Sequence, residues 1–353
     1  MEGKEMPKPK EKITEKTTDE PLFIGVDLGT ARSAICSSNN HKEWTRSIVG
    51  WPKDMISRKL LKKDILFGDE ALKNRLALDI YRPLERGSIK KGSDKNEEAA
   101  FELIKYLINL AGPKPYQKVF VVVGAPAEAS QTNKESLKEA LKPLADGVMI
   151  VSEPFTVAYY ENALSNSMIV DIGAGTTDFC VMHGTIPTDE DQATIYEAGD
   201  HIDEQLHQSL AEAYPQATFN RTMIINWKEE HAFVGGKSGS VNVTIPVGGK
   251  PIEFDIAEDM KRACESIVPS VLEVLKEMIA GYDPEFQEEL RQNIILAGGG
   301  SLIKGIDKAF EEGLKSIGGA KIRCVENPLY CGALGALAIA QDTPLADWQK
   351  LGL

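Results

Sequence analysis

No stretch of this 353-residue chain approaches the roughly 18 consecutive apolar residues that a membrane span needs, and the N-terminus opens on charges, not on a signal-peptide hydrophobic segment. Both absences read as a cytoplasmic protein with no direct membrane insertion. Positive charge is also scarce: 40 Lys and Arg face 53 Asp and Glu, for a net charge of −13 and a pI near 5.0. A surface of that sign repels nucleic acid and anionic lipid, leaving proteins and small molecules as the expected partners. Cysteine is sparse and unpaired. The five (Cys36, Cys180, Cys264, Cys324, Cys331) are odd in number, widely spaced and without a Cys-x-x-Cys, so they read as reduced core residues. The five histidines show no metal-ligand spacing. Residues 1–20 have eleven charged side chains and almost no hydrophobics, which reads as a flexible tail without the i, i+3, i+4 apolar spacing of a membrane-binding helix.

What the chain does have is three glycine turns, each closing an apolar strand. They are Val26-Asp27-Leu28-Gly29-Thr30, Val170-Asp171-Ile172-Gly173-Ala174-Gly175-Thr176-Thr177-Asp178, and Ala297-Gly298-Gly299-Gly300-Ser301. A single Asp-x-Gly is usually an ordinary tight turn. Three together point to a nucleotide: residues without Cβ free backbone N–H groups for phosphate oxygens, while each Asp can hold a metal ion's water or the attacking water. The two Asp turns read as the facing jaws of one ATP cleft, with GTP left open, and their recurrence suggests a duplicated fold. The length agrees, since single cores stop growing at roughly 250–300 residues and this chain exceeds that.

Around the first turn, Leu22 to Val26 reads as a buried strand followed by antiparallel strands at Ala34 to Cys36 and Thr45 to Val49. Helical spacing predicts helices over Glu97 to Ile108, Asn133 to Leu144 and residues 257–280, the last despite Pro269. His231 to Ser238 imitates a phosphate loop only in its final residues and lacks the first glycine, so it is set aside.

In order and wording the three turns resemble the actin, Hsp70 and sugar-kinase superfamily. Phe67-Gly68-Asp69-Glu70-Ala71, Arg82-Pro83-Leu84, Glu153-Pro154 and Ala198 to Glu204 are similar to MreB-type bacterial actins, with Val49 to Asp54, Ser152 to Phe155 and Phe233 to Gly235 resembling the magnetosome-associated actins of magnetotactic bacteria. The resemblance covers about residues 21–340. It implies an α/β actin-like ATPase fold: two lobes with duplicated RNase H-like cores and two smaller outer subdomains. Lobe I would hold residues 21–49 and 83–164, with 50–82 as its outer subdomain. Lobe II would hold 165–200 and 255–341, with 201–254 outer, and 342–353 would be a C-terminal tail.

The resemblance also implies roles. Asp27 and Asp171 would hold Mg2+ through water, with Glu153 and Asp171 positioning the attacking water. On its own residues Glu153 could equally be a helix N-terminal acid. Gly29, Thr30, Ala31 and Arg32 would meet the phosphates from one side and Gly173, Ala174, Gly175, Thr176 and Thr177 from the other. Lys228 and Glu229 would reach base or ribose, or form a solvated helix face, and Gly299, Gly300 and Ser301 would admit the nucleotide closely. Arg32 departs from the small polar residue of the pattern; it could add charge at the phosphates or point to solvent. The implied activity is a slow, polymerisation-linked ATPase forming a homopolymer filament along magnetosome chains, with organelle-associated adaptor proteins as further partners. A cell-shape or plasmid-segregation actin and a small-molecule kinase are the alternatives.

Overall fold

The computed structural model describes residues 20–236 and 239–351. The expected N-terminal tail, apart from Glu20, and Lys237 and Ser238 of the phosphate-loop imitation lie outside the described residues.

Leu22–Leu28 (β1) turns at Gly29 into Arg32–Ser37 (β2), which hairpins into Lys42–Arg46 (β3). The third strand therefore ends before Val49, against expectation. Ser47 is why: its amide donates to the Ala31 carbonyl at 2.9 Å and its hydroxyl to the Gly29 carbonyl at 2.6 Å, pinning the chain beneath the first turn. Val49–Pro52 (β4) then enters a small outer unit with Met55–Leu61 (α1), Leu66–Phe67 (β5), Gly68–Lys73 (α2) and Leu78–Tyr81 (β6). Its core is thin, built on Ile48, Leu66, Ala71 and Leu78. Helix α1 starts where Asp54 accepts from the amides of Ile56 and Ser57 while Ser57 accepts from the Asp54 amide, a reciprocal cap.

A short hairpin, Leu84–Glu85 (β7) and Ser88–Ile89 (β8), precedes Asp94–Leu110 (α3), which buries Ala99, Ala100, Leu103, Ile104, Leu107 and Ile108 on one stripe. Val119–Ala125 (β9), Gln131–Leu141 (α4), Gly147–Ser152 (β10) and Glu153–Tyr160 (α5) complete the first half. The sheet order is β10-β9-β1-β2-β3, with β9 and β10 parallel to β1.

The second half repeats this plan. Ser165–Ile172 (β11), Thr177–His183 (β12) and Gln192–Ile195 (β13) form the antiparallel side. Then come Gly199–Ala213 (α6), Arg221–His231 (α7), the hairpin Asn242–Val247 (β14) and Lys250–Asp255 (β15), Ala257–Glu265 (α8), Val268–Gly281 (α9), Gln287–Arg291 (α10), Ile294–Ala297 (β16), Ile306–Gly313 (α11) and Ile322–Cys324 (β17). The order β13-β12-β11-β16-β17, with β16 and β17 parallel to β11, matches the first sheet strand for strand. Pro269 does not sit inside one long helix. It opens α9, where its missing N–H costs nothing, and the chain breaks at Ser266 and Ile267.

Two corrections concern the C-terminus. Cys331–Asp342 (α12), expected with the second lobe, packs on β1, β9 and β2 of the first sheet and on α5. Small residues permit this: a Cβ on Gly25 would overlap the Ala333 carbonyl and Leu337 amide, and one on Gly335 would overlap the Thr156 carbonyl of α5. The expected tail beyond Asp342 contains a further helix, Leu345–Leu351 (α13), whose Trp348 is 1% exposed and tilts against Phe120 at 5.1 Å between ring centroids. Among the cysteines, Cys324 is exposed rather than in the core, while burial pushes the thiols of Cys36, Cys180 and Cys264 up to between about 11 and about 12.

Candidate functional site

The two halves present equivalent strand ends to each other. Asp27 lies near the end of β1 and Asp171 near the end of β11, and each strand then reverses through glycine into its antiparallel partner. Both residues are partly buried. Burial pushes Asp27 up to about 6, and burial together with the charges of Asp27 and Asp178 pushes Asp171 well above the usual range. A Cβ on Gly332, early in α12, would stand 2.8 Å from Asp27 Oδ2, and one on Gly298 would overlap the Asp171 carboxylate, so both acids are closely enclosed.

Glu153 is the first residue of α5 with Pro154 behind it, the position of a helix N-terminal acid. It does not have that role's environment. Its Oε1 is buried without a hydrogen-bond partner, and its carboxyl is pushed well above the usual range by burial first and then by Asp178, Asp27 and Asp171. Its side chain lies over Gly124 at the end of β9, where a Cβ would come within 3.1 Å. Four acids from both halves thus lie close enough for their charges to act on one another.

The turns differ in what they offer. No hydrogen bond within the described residues uses the amides of Gly29, Thr30 and Ala31, or those of Ala174 and Gly175. The Gly173 amide is already engaged, donating to the Thr176 carbonyl at 2.9 Å, while the carbonyls of Gly173 and Ala174 accept from Gly199 and Asp200 at the start of α6. Thr177 donates its hydroxyl to the Glu197 carbonyl at 2.8 Å, and Thr30 accepts the Gly87 amide at the same distance. Gly175 approaches Thr30 and Arg86 so closely that a Cβ would stand 2.7 Å from Thr30 Oγ1. In the third turn Gly300 packs on Ile172 and Ser301 bonds back to the Gly298 carbonyl at 2.7 Å, leaving Gly299 facing open space.

Lys228 is largely buried beside the second turn. Its ammonium lies 2.7 Å from Asp203 and donates to the Gly199 carbonyl at 2.7 Å, bracing the second turn from behind. Burial outweighs Lys228 at Asp203, whose carboxyl is still pushed up. Glu229, one residue on, reaches the other half. Its Oε2 meets Arg32 Nη2 at 2.7 Å and Arg46 Nη2 at 3.5 Å, so Arg32 does not point freely to solvent. Arg46 also donates to Asp69 at 2.9 Å, and the Arg32 guanidinium lies over Trp44 at 5.4 Å.

Sequence reasoning missed the groups that join the halves. Asp178 accepts the Ala127 amide at 2.8 Å and the Thr194 hydroxyl at 2.6 Å, and Thr194 accepts the Glu128 amide at 3.1 Å, so side chains of the second sheet hold the backbone that follows β9. Asp178 stood inside the second motif, and its place directly across from Asp171 was the available signal. Arg86 lies over the Tyr196 ring at 4.2 Å, a contact no local pattern announces. Among the described residues, no group of three or more His, Cys, Asp or Glu could hold a metal by itself, and no helix is long and apolar enough to cross a membrane.

Comparison with known proteins agrees with this geometry. The family profile described as MreB/Mbl protein matches residues 21–346. The actin-like protein MamK of Paramagnetospirillum magneticum is 39% identical over 331 residues, covering 94% of this chain and 95% of that protein. Among solved structures, a MamK double helical filament superposes with a TM-score of 0.90 at 39% identity, covering 92% of this chain and all of the other. A non-polymerising MamK mutant bound to AMPPNP, also 39% identical, superposes at 0.70 over 91% of this chain and 99% of that one. With duplicated sheets, paired acidic turns and a profile match over nearly its whole length, the chain belongs to the MreB/Mbl family of bacterial actins, on its MamK-like side.

Proposed function

We propose that this protein is an ATP-hydrolysing bacterial actin whose filaments assemble with nucleotide, loosen after hydrolysis and serve in positioning magnetosomes through adaptor proteins. The observation that carries the reading is the closeness of Asp27, Asp171 and Glu153, drawn from both halves, beside turns in which the amides of Gly29, Thr30, Ala31, Ala174 and Gly175 have no acceptor among the described residues.

The site suits a magnesium-bound nucleotide by its chemistry. Three neighbouring acids at raised proton affinity, one with a buried oxygen that has no partner among the described residues, form a place where positive charge is favoured. Asp27 and Asp171 would hold the ion through its waters, and the ion supplies charge neutralisation of the phosphates. The protein's own part is positional. Amides of Gly29, Thr30, Ala31, Ala174 and Gly175 donate to phosphate oxygens. Glu153 and Asp171 orient a water toward the terminal phosphorus, whose bond to the bridging oxygen breaks as the water's oxygen attacks. Burial makes an ionised Glu153 a strong acceptor for that water's proton.

Assembly is supported by the closer superposition on the polymerised relative and by the surface. Met55, Ile56, Leu60 and Leu76 are each more than 70% exposed on the outer unit of the first half, apolar side chains left uncovered among the described residues. Head-to-tail contacts of unlike surfaces need not close, which lets a globular subunit build a fibre. Electron microscopy and pelleting of the purified chain with and without ATP and Mg2+ test the reading. Filaments with nucleotide support it; a protein that stays dispersed and phosphorylates an added small molecule would make it a kinase.

A further inference from the structure

Arg82, Pro83 and Leu84 form a motif that the nucleotide chemistry leaves without a task. The structure places Arg82 at a cavity of about 150 Å3 between the halves, beside the first phosphate turn, lined by Thr30, Ala31, Arg46, Arg82, Asp200 and Arg221 among others. At ~30 Å3 per water, that is room for roughly five waters or one tetrahedral oxyanion.

The charges are unbalanced in a specific way. Arg221 is paired with Asp200 at 2.9 Å, Arg46 with Asp69 and Glu229, and Lys90 stands 3.9 Å from Glu85. Arg82 makes no ion pair or hydrogen bond among the described residues, although it is half-buried. Burial and the like charges of Arg221 and Arg46 weigh against its positive form, with only Asp200 opposing them. Asp200 and Glu85 also line the cavity, but neither pairs with Arg82 among the described residues, so its guanidinium is a fork of donors without a close acceptor, and planar guanidinium matches phosphate oxygens in pairs. The Thr30 and Ala31 lining puts that acceptor's place next to the turn proposed to hold the nucleotide's phosphates.

We propose that Arg82, assisted by Arg46 and Arg221, forms an oxyanion site for inorganic phosphate, where phosphate cleaved from the nucleotide pauses before it leaves. As a product-holding site it rests on the hydrolytic reading above; as a phosphate site it stands on the cavity and its charges alone. The site joins residues of both halves, so its occupancy favours the closed cleft, and departure of phosphate removes that contribution.

The test has two arms, both on the full chain kept below its assembly concentration. First, inorganic phosphate is titrated into nucleotide-free protein against chloride at matched ionic strength and followed by calorimetry and thermal shift. The expected result is phosphate-specific binding that Arg82→Ala weakens about tenfold or more, the scale of losing a charge-assisted hydrogen bond, with Arg82→Lys intermediate. Arg221→Gln provides a second variant should Arg82→Ala fold poorly. No phosphate-specific binding, or full binding in both variants, overturns the site. Second, single-turnover hydrolysis is compared with phosphate release read by a phosphate sensor. A lag between the two that shrinks several-fold in Arg82→Ala supports product holding. An unchanged lag overturns product holding and assigns the site to solution phosphate.

Discussion

At the residue scale, the buried acids govern pH behaviour. Asp27 is pushed from 3.8 up to about 6, so the folded protein keeps a proton that the unfolded chain has lost. Its contribution to stability is therefore complete below about pH 4 and is lost as pH rises through about 6; Asp171 and Glu153 act in the same direction. For Asp27 the difference is on the order of 3 kcal/mol. The melting temperature of nucleotide-free protein should respond accordingly between pH 4 and 7, and Asp27→Asn should flatten that response. A wild-type and Asp27→Asn pair with identical profiles would refute the assignment. Replacing Glu153 or Asp171 with Ala should cut hydrolysis about 10²-fold or more while leaving nucleotide binding largely intact, because the lost group acts on the water. Single-turnover rates alongside equilibrium nucleotide binding check this.

At the element scale, the strand-ending turns were readable from glycine and Asp spacing, as were the helices with a full apolar stripe such as α3. What was not readable depended on contacts distant in the chain. The early end of β3 is set by the hydroxyl of Ser47 reaching Gly29, and the docking of α12 by the fit of Gly25 under Ala333. Arg32 could not be placed, because its partner Glu229 lies almost two hundred positions away. That pair ties β2 to α7. With both side chains about a third exposed, at 33% and 32%, its strength should stay near the ~1 kcal/mol expected of accessible ion pairs. A double-mutant cycle of Arg32→Ala and Glu229→Ala, read by denaturant unfolding, should give a coupling of that size that shrinks in high salt. Zero coupling at low salt would show the contact to be incidental. Trp348→Ala should cost about 3–5 kcal/mol, since the ring is buried against Phe120, and the same unfolding measurement reads it.

At the scale of the whole molecule, the duplicated α/β architecture and its membership of the actin superfamily were legible, because the same strand-turn-strand unit occurs twice with its acid in place. The division of the chain between the halves was less so. Sequence order assigns α12 to the second half, whereas packing gives it to the first, and α5 touches strands of both sheets. Residues 1–19 hold almost no apolar side chains, so a chain beginning at Glu20 should pellet with ATP and Mg2+ as the full chain does. Failure of the shortened chain to sediment would assign the tail a part in assembly.

The return of the last long helix to the first sheet also bears on how the protein is made. One face of that sheet carries Phe120 and Val122 and is covered by Ala336, Ile339, Ala340 and Trp348, residues the ribosome adds about 180 positions after the last strand of the sheet. At ~5–20 residues per second, the nascent sheet waits on the order of 10–40 s for its lid. Throughout that interval a sticky surface stands uncovered on every polysome, and a premature stop between the start of the second lobe and α12 would release it permanently.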